Sequence, residues 1–463
     1  MKQKIVLIVS MMLCTTLSVA QVQEFQIGAQ SNSIVRIVKG DSVLVYTEVS
    51  PTEAYFLLYV DGDASAQAFQ LLPGYNVQVR DVRIHNGETA YFCGTMGSGL
   101  FINNFAAVGQ FNIADIFSGT GQILWTFFPD WMGHDGLMVT DLKRLDLVKC
   151  HDTVCMAMTG KSLYGYGIAL PSTTVASAWI DDSFNWHLNA HTNRYLKMTF
   201  TDVTCMNRMI LAVGSSLYDT GCYVKPFHVT PDFPAHPVAT DIMWGLSYGS
   251  PVGEILARRM TKDSVVIAHF DNSSGVGVVF HLLSLNSSGV PSVPTKTWKT
   301  VSLPTSVYGT GQKLKELNSV GETAFLLHTN EYPLSGYPAM LDWVLALNYN
   351  NYTLSPAPIV YTPLKMWQPP LGKIHSMDAG AASMRLSANN YTSLATYGPH
   401  PLWENPCFYP DSAGPLYSTA GSFARDIVDE TVSDTVSSLF LVPELFQVDV
   451  NTICNPKGKE QEQ

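Results

Sequence analysis

Gly40-Asp41-Ser42-Val43 reads as a turn residue, an acid, a hydroxyl residue and the start of an apolar strand. The phrase returns at Gly87-Glu88-Thr89-Ala90, His151-Asp152-Thr153-Val154, Lys262-Asp263-Ser264-Val265 and Gly321-Glu322-Thr323-Ala324. Weaker copies stand at Asn207-Arg208-Met209 and Ala379-Gly380-Ala381. Counted from the acid position, successive copies fall 47 to 64 residues apart. Spacing of this size, with one supersecondary unit per step, marks a repeat architecture. Each acid follows a turn and precedes a hydroxyl residue, so it is assigned to the turn backbone rather than to a ring of carboxylates.

Working outward from Gly87, each repeat resolves into four strands. Val79 to Ile84 alternates as an inner strand, Thr89 to Gly94 returns from the turn, Leu100 to Phe105 follows Gly97-Ser98-Gly99, and Gln122 to Phe128 lies outermost. Alternation, β-branched and aromatic enrichment and glycine-bearing turns are hairpin signals. Four-stranded units at this period build an all-β fold, the β-propeller, in which ring closure protects the strand edges. Seven blades fit the spacing, and the degenerate last repeat also admits six or eight. Gln23-Glu24-Phe25-Gln26-Ile27 matches Gln67-Ala68-Phe69-Gln70-Leu71, the outer strand of the first repeat. The N-terminal segment is therefore expected to complete the last blade, pairing with the strands of residues 373–397.

Residues 1–20 read as an export signal, with Lys2 and Lys4 before an apolar stretch and Ser18-Val19-Ala20 at the cleavage site. The expected division is then a propeller over 21–403, a C-terminal extension packed on it over 404–454, and a disordered tail over 455–463. No second run approaches the ~20 apolar residues of a membrane helix, so a secreted or periplasmic location is expected. The formal net charge of −11 becomes −13 once Lys2 and Lys4 are removed. A chain this acidic argues against nucleic acid and anionic membrane as partners. An exported chain permits disulfides. Cys150 with Cys155 across one hairpin, and Cys407 with Cys454 near the C-terminus, are the expected pairs. Cys205 and Cys222 are a further option, and Cys93 is left as a buried thiol. No Cys-x-x-Cys or Cys-x-x-His spacing occurs, so neither a metal nor a cofactor is expected.

Two motifs are read as structural. Gly245-Leu246-Ser247-Tyr248-Gly249 matches the serine-hydrolase elbow but lacks the helix that chemistry requires. Thr159-Gly160-Lys161-Ser162 resembles the end of a phosphate loop without its upstream glycine or following helix, and reads as a strand-end turn. The connections from an outer strand to the next inner strand carry Tyr75, Trp131, Trp186, Trp244, Tyr248, Tyr308 and Trp367. Such rings suit sugar or peptide ligands, and in a propeller these connections gather at one mouth of the channel. Packing between blades is the structural alternative for each ring. His134, Asp135, His187 and His191 form the one cluster with acid–base chemistry, and exposed loop positions are its plainer reading.

With these repeats in view, the chain resembles the secreted bacterial β-propellers with long, divergent blades, over roughly residues 23–400. The Trp-Asp blade ending, the paired glycines of the kelch class and the Ser-x-Asp-x-Gly-x-Thr-Trp turns of sialidases are absent, so no catalytic residues carry over. The expected function is a monomeric exported scaffold binding a glycan or a protein or peptide ligand on its loop-bearing face. A hydrolase or lyase working at the channel mouth is the alternative from another class, and a structural cell-envelope subunit is a third. Binding is preferred to catalysis.

Overall fold

The computed structural model describes the elements bounded below and the tight turns joining them. The longest stretches outside the described residues are 1–20, 129–137, 300–311, 331–342, 349–363, 398–408, 421–436 and 455–463. After β1 (Gln21–Gln26), blade 1 holds β2 (Asn32–Lys39), β3 (Ser42–Ser50), β4 (Glu53–Val60) and β5 (Ser65–Gln70). Blade 2 holds β6 (Asn76–His85), β7 (Thr89–Gly97), β8 (Asn104–Asn112) and β9 (Gln122–Phe127), with the short helix α1 (Ile113–Phe117) between the last two. Blade 3 is β10 (Met138–Cys150), β11 (Thr153–Tyr164), β12 (Leu170–Ile180) and β13 (Trp186–Thr192). Blade 4 is β14 (Met198–Met206), β15 (Met209–Ser216), β16 (Cys222–Val229) and an outer strand split into β17 (Pro237–Ala239) and β18 (Trp244–Leu246). Blade 5 is β19 (Pro251–Thr261), β20 (Ser264–Asp271), β21 (Gly277–Leu285) and β22 (Pro291–Lys299). Blade 6 is β23 (Gln312–Val320), β24 (Thr323–Asn330), β25 (Trp343–Asn348) and β26 (Leu364–Trp367). Blade 7 contributes β27 (Ile374–Ala379), β28 (Ser383–Ala388) and β29 (Tyr391–Tyr397).

The seven sheets form a β-propeller. Each inner strand packs against the next, from β2 through β6, β10, β14, β19 and β23 to β27, which returns to β2. The five acids of the repeated phrase all fall between the inner two strands of different blades, as the repeat requires. Closure is by β1, which pairs antiparallel with β29, Phe25 facing Ser393 and Gln21 facing Tyr397. The N-terminal strand thus completes the last blade.

It is not the outermost strand there, because the C-terminal chain adds another layer. β30 (Tyr409–Pro410), β31 (Leu416–Ala420), β32 (Ser437–Phe440), β33 (Glu444–Gln447) and β34 (Asp449–Cys454) each pair with a different blade. They join blades 6, 5, 2, 1 and 7 in that order, so the chain retraces the ring along its rim. β34 lies against β1. The stretch from Leu439 to Val450 thus runs through three short strands on three blades.

Alternation along each strand feeds two neighbouring cores. In β7, Ala90 and Phe92 pack towards blade 1, while Tyr91 and Cys93 pack towards blade 3. Between blades 1 and 2, the Phe56, Phe69, Phe92 and Phe111 rings stack with centroids 5.1–5.8 Å apart. Each inner strand of blades 2, 3, 4, 6 and 7 carries a β-bulge near its start. In blades 2, 3 and 4 a glycine on the second strand faces it. A Cβ on Gly94, Gly160 or Gly214 would lie 1.9–2.0 Å from a carbonyl oxygen of Gln78, Asp141 or Thr199. The bulge can form because those positions have no side chain. Thr159-Gly160-Lys161-Ser162 is therefore interior to β11, not a strand-end turn.

The cysteine pairings need correction. Cys150 faces Thr153 and Cys155 faces Val148, a diagonal offset of about 7–8 Å rather than the ~5.5 Å of a disulfide. Cys155 instead keeps a buried thiol, 3.6 Å from the Met156 carbonyl. Cys205 packs between blades 3 and 4 and Cys222 between blades 4 and 5, so opposite faces of one sheet separate these two buried thiols. Cys93 is a buried thiol as expected. Cys407 lies outside the described residues, and Cys454 ends β34. No helix among the described residues is long and apolar enough to cross a membrane.

Candidate functional site

The inner strands bring charged side chains onto the ring axis, where they bond blade to blade. Asp81 of blade 2 accepts the Leu145 amide of blade 3 at 3.0 Å. Asp146 of blade 3 accepts the Cys205 amide at 2.7 Å, and Asp202 of blade 4 accepts the Ala257 amide at 2.9 Å. Asp378 of blade 7 accepts the Ile37 amide at 2.8 Å, and Glu316 of blade 6 accepts the Met377 amide. Carboxylates bonded this way link consecutive blades where no sheet hydrogen bond does.

Arginines tie the same acids across the axis. Arg36 of blade 1 reaches Asp81 at 2.7 Å and Glu316 at 2.6 Å, and also donates to the Val82 carbonyl. Arg83 pairs with Asp81 at 3.2 Å, and Arg258 lies 3.6 Å from Asp146. Burial opposes the charge on Arg36, but Glu316 and Asp81 outweigh it and hold the guanidinium protonated. Burial would raise Asp81, yet Arg83 and Arg36 keep its carboxyl below the ordinary range. For Asp202 burial wins over Arg144 and two backbone amides, and its carboxyl rises to about 6. This layer fills the channel with paired charge.

Above it the channel opens as a cavity of about 420 Å³. Its lining comes from the first halves of β2, β6, β10, β19, β23 and β27, with Lys161 from β11. The mouth is therefore on the face reached by the outer-to-inner connections. Arg80, Lys143, Arg144, Lys161, Lys313 and Lys315 line it against three carboxylates, Asp141, Glu254 and Glu316. Each carboxylate is engaged: Asp141 with Thr95 at 2.5 Å and Arg80 at 3.6 Å, Glu254 with Arg144 at 2.9 Å, and Glu316 as above. Lys143 and Lys161 make no ion pair among the described residues. A chain of net charge −11 thus carries a cationic cup on its axis.

The residues singled out from sequence are placed differently. Tyr75 is 48% exposed with its ring 5.9 Å from Trp125. Trp186 is 3% exposed and packs between blades 2 and 3. Trp244 stands in β18 and Trp367 in β26, both outer strands rather than loops. His187 and His191 likewise belong to β13, not to a loop. His187 stacks on Trp179 at 4.3 Å and meets Asp181 at 3.0 Å. Trp131, His134, Asp135, Tyr248 and Tyr308 lie outside the described residues. Gly245 and Leu246 end β18, and the inner strand β19 begins at Pro251, so no helix follows the elbow-like motif. Among the described residues no group of three or more His, Cys, Asp or Glu side chains is arranged to hold a metal ion.

The cup's cations went unremarked in the sequence, yet they have a signal. Arg80, Lys143, Arg144, Lys313 and Lys315 each stand seven to nine positions before the acid of the repeated phrase. That offset is the length of an inner strand from mouth to turn.

No family model matches this chain, and no curated protein matches it. Among solved structures it is similar to a glycoside hydrolase family 32 β-fructofuranosidase from Bombyx mori, in complex with sucrose. That likeness covers 92% of this chain and 93% of the other, at 10% identity and a TM-score of 0.32. It transfers no residue and no activity.

Proposed function

We propose that this protein is an exported propeller scaffold that binds an acidic glycan in the cup at the channel mouth. The observation that carries the reading is the inversion of charge: a cationic concavity in an acidic molecule, with Lys143 and Lys161 in no ion pair among the described residues. Such a cavity focuses field lines and concentrates anions. Its size falls within the range of small-ligand pockets. The cations come from blades 2, 3 and 6, so they surround a ligand bearing several carboxylates or sulfates rather than gripping one. Among the described residues Ile34 and Leu314 are the only apolar side chains in the lining, which favours a hydrated sugar acid over a peptide with apolar anchors.

One observation favours the hydrolase reading. Glu48 is buried beside the cup and accepts hydrogen bonds from Tyr46 at 2.9 Å and Asn32 at 3.4 Å. Burial raises its carboxyl above the ordinary range despite those bonds. Glycoside hydrolysis needs a second, uncommitted carboxylate opposite the first. The three in the lining are held by cations or amides, so the geometry supports binding. An array of uronate-bearing, sulfated and neutral oligosaccharides with acidic peptides tests this. Retention of acidic sugars that salt releases supports the proposal; equal retention of neutral sugars, or of peptides alone, replaces it.

A further inference from the structure

We propose a second carbohydrate site, for a neutral sugar, in the groove between blades 2 and 3 on the face opposite the cup. The groove has a volume of about 390 Å³ and is overhung by Phe184 from the turn between β12 and β13. Phe184 is 60% exposed and has a φ of +61°, in the left-handed region that non-glycine residues rarely adopt. The turn is held hard in that shape. Asp181 accepts the amides of Ser183 and Asn185 at 2.9 and 2.8 Å, and the Phe184 amide donates to the Asp181 carbonyl at 2.9 Å. A large ring kept both strained and in water is a feature that stability alone does not favour, and such outliers cluster at ligand sites.

The rest of the lining says what the ring meets. Leu124 forms a buried floor, and among the described residues no cation contributes. Thr89, Gln110 and Gln122 make no side-chain hydrogen bond among the described residues. They present hydroxyl and amide groups that both donate and accept, the chemistry that matches sugar hydroxyls. The carboxylate of Asp115 also lines the groove and disfavours an anion. An aromatic face above amides and a carboxylate defines a site for an uncharged pyranose. A protein partner fits less well, since among the described lining residues Phe184 stands as a single exposed ring rather than part of an apolar patch.

This site does not depend on the cup, and the test keeps the two apart. The full chain is titrated calorimetrically with maltotriose, cellotriose, mannotriose and chitotriose. At least one is expected to bind. Phe184→Ala should weaken that binding at least tenfold, Phe184→Trp should retain it, and Lys143→Glu should leave it unchanged. Phe184→Gly serves as the folding control, because it relieves the left-handed backbone and should raise the melting temperature while losing binding. Failure of all four sugars to bind the parent, or equal binding by Phe184→Ala, overturns the proposal.

Discussion

At the scale of single residues, the ring depends on groups that are absent as much as on groups present. Gly94 and Gly214 face bulged inner strands, and an added methyl would meet a backbone carbonyl that cannot rotate away. Gly214→Ala should cost about 1–3 kcal/mol, as overpacking does, measured by chemical denaturation. Unchanged stability would mean the bulge is not fixed. His281 makes a second case. Its Nε2 lies 2.9 Å from Nε2 of His269, whose Nδ1 is 2.9 Å from the Phe270 carbonyl. With His269 Nδ1 donating to that carbonyl, its Nε2 is left to accept and His281 is the donor. Burial, then the neighbouring His269, depresses the His281 pKa well below 6.5. Below pH 6.5 the unfolded chain therefore takes up a proton that the folded chain refuses, and stability falls as pH falls. Between pH 7.5 and 5.5 the parent should lose on the order of 1 kcal/mol relative to His281→Gln. A constant difference across that range would show that the imidazole ionises in place. Neither feature was legible in the sequence: a bulge shifts register by one residue without altering the apolar pattern, and a histidine on a strand reads the same whether its neighbour is water or another ring.

At the scale of elements, the strands and their turns were legible because alternation and the turn–acid–hydroxyl phrase repeat together. The match between residues 23–27 and 67–71 located the closing strand, since both occupy the fourth position of a blade. The rim strands were not legible. β30 to β34 are two to six residues long and carry no repeat, so their only signature is the edge each one covers. They cover the edges of blades 1, 2, 5, 6 and 7, which as bare strands would invite association. Ending the chain at residue 403 should lower the melting temperature and produce concentration-dependent association in sedimentation. A truncated protein that stays monomeric and melts like the parent would reduce the rim to decoration. The register of β10 and β11 sets Cys150 and Cys155 diagonally apart. Flanking a tight turn puts two residues near one another, but the register decides whether they face.

At the scale of the whole molecule, seven inner strands pointing the same way gather their early residues at one mouth. The phrase that marks the repeats also locates the cup, because five of its six described basic residues lie one strand length before a turn. Of the aromatic residues near the connections, Trp186 lies in the core. Trp and Tyr are conspicuous in any reading, whereas scattered lysines become a site only once the ring superposes them. The charge layer from Arg36 to Glu316 lies beneath the cup. The central claim is that Lys143 and Lys161 hold an acidic sugar there. Calorimetric titration of a tetragalacturonate into the parent and into the Lys143→Glu, Lys161→Glu double variant tests it most directly. Lys143 is half-buried, Lys161 is exposed and neither makes an ion pair among the described residues, so the variant should melt close to the parent. The account predicts salt-sensitive binding by the parent and at least a tenfold loss in the variant. Binding that the double reversal leaves unchanged, or a parent that takes up no acidic sugar, would contradict it.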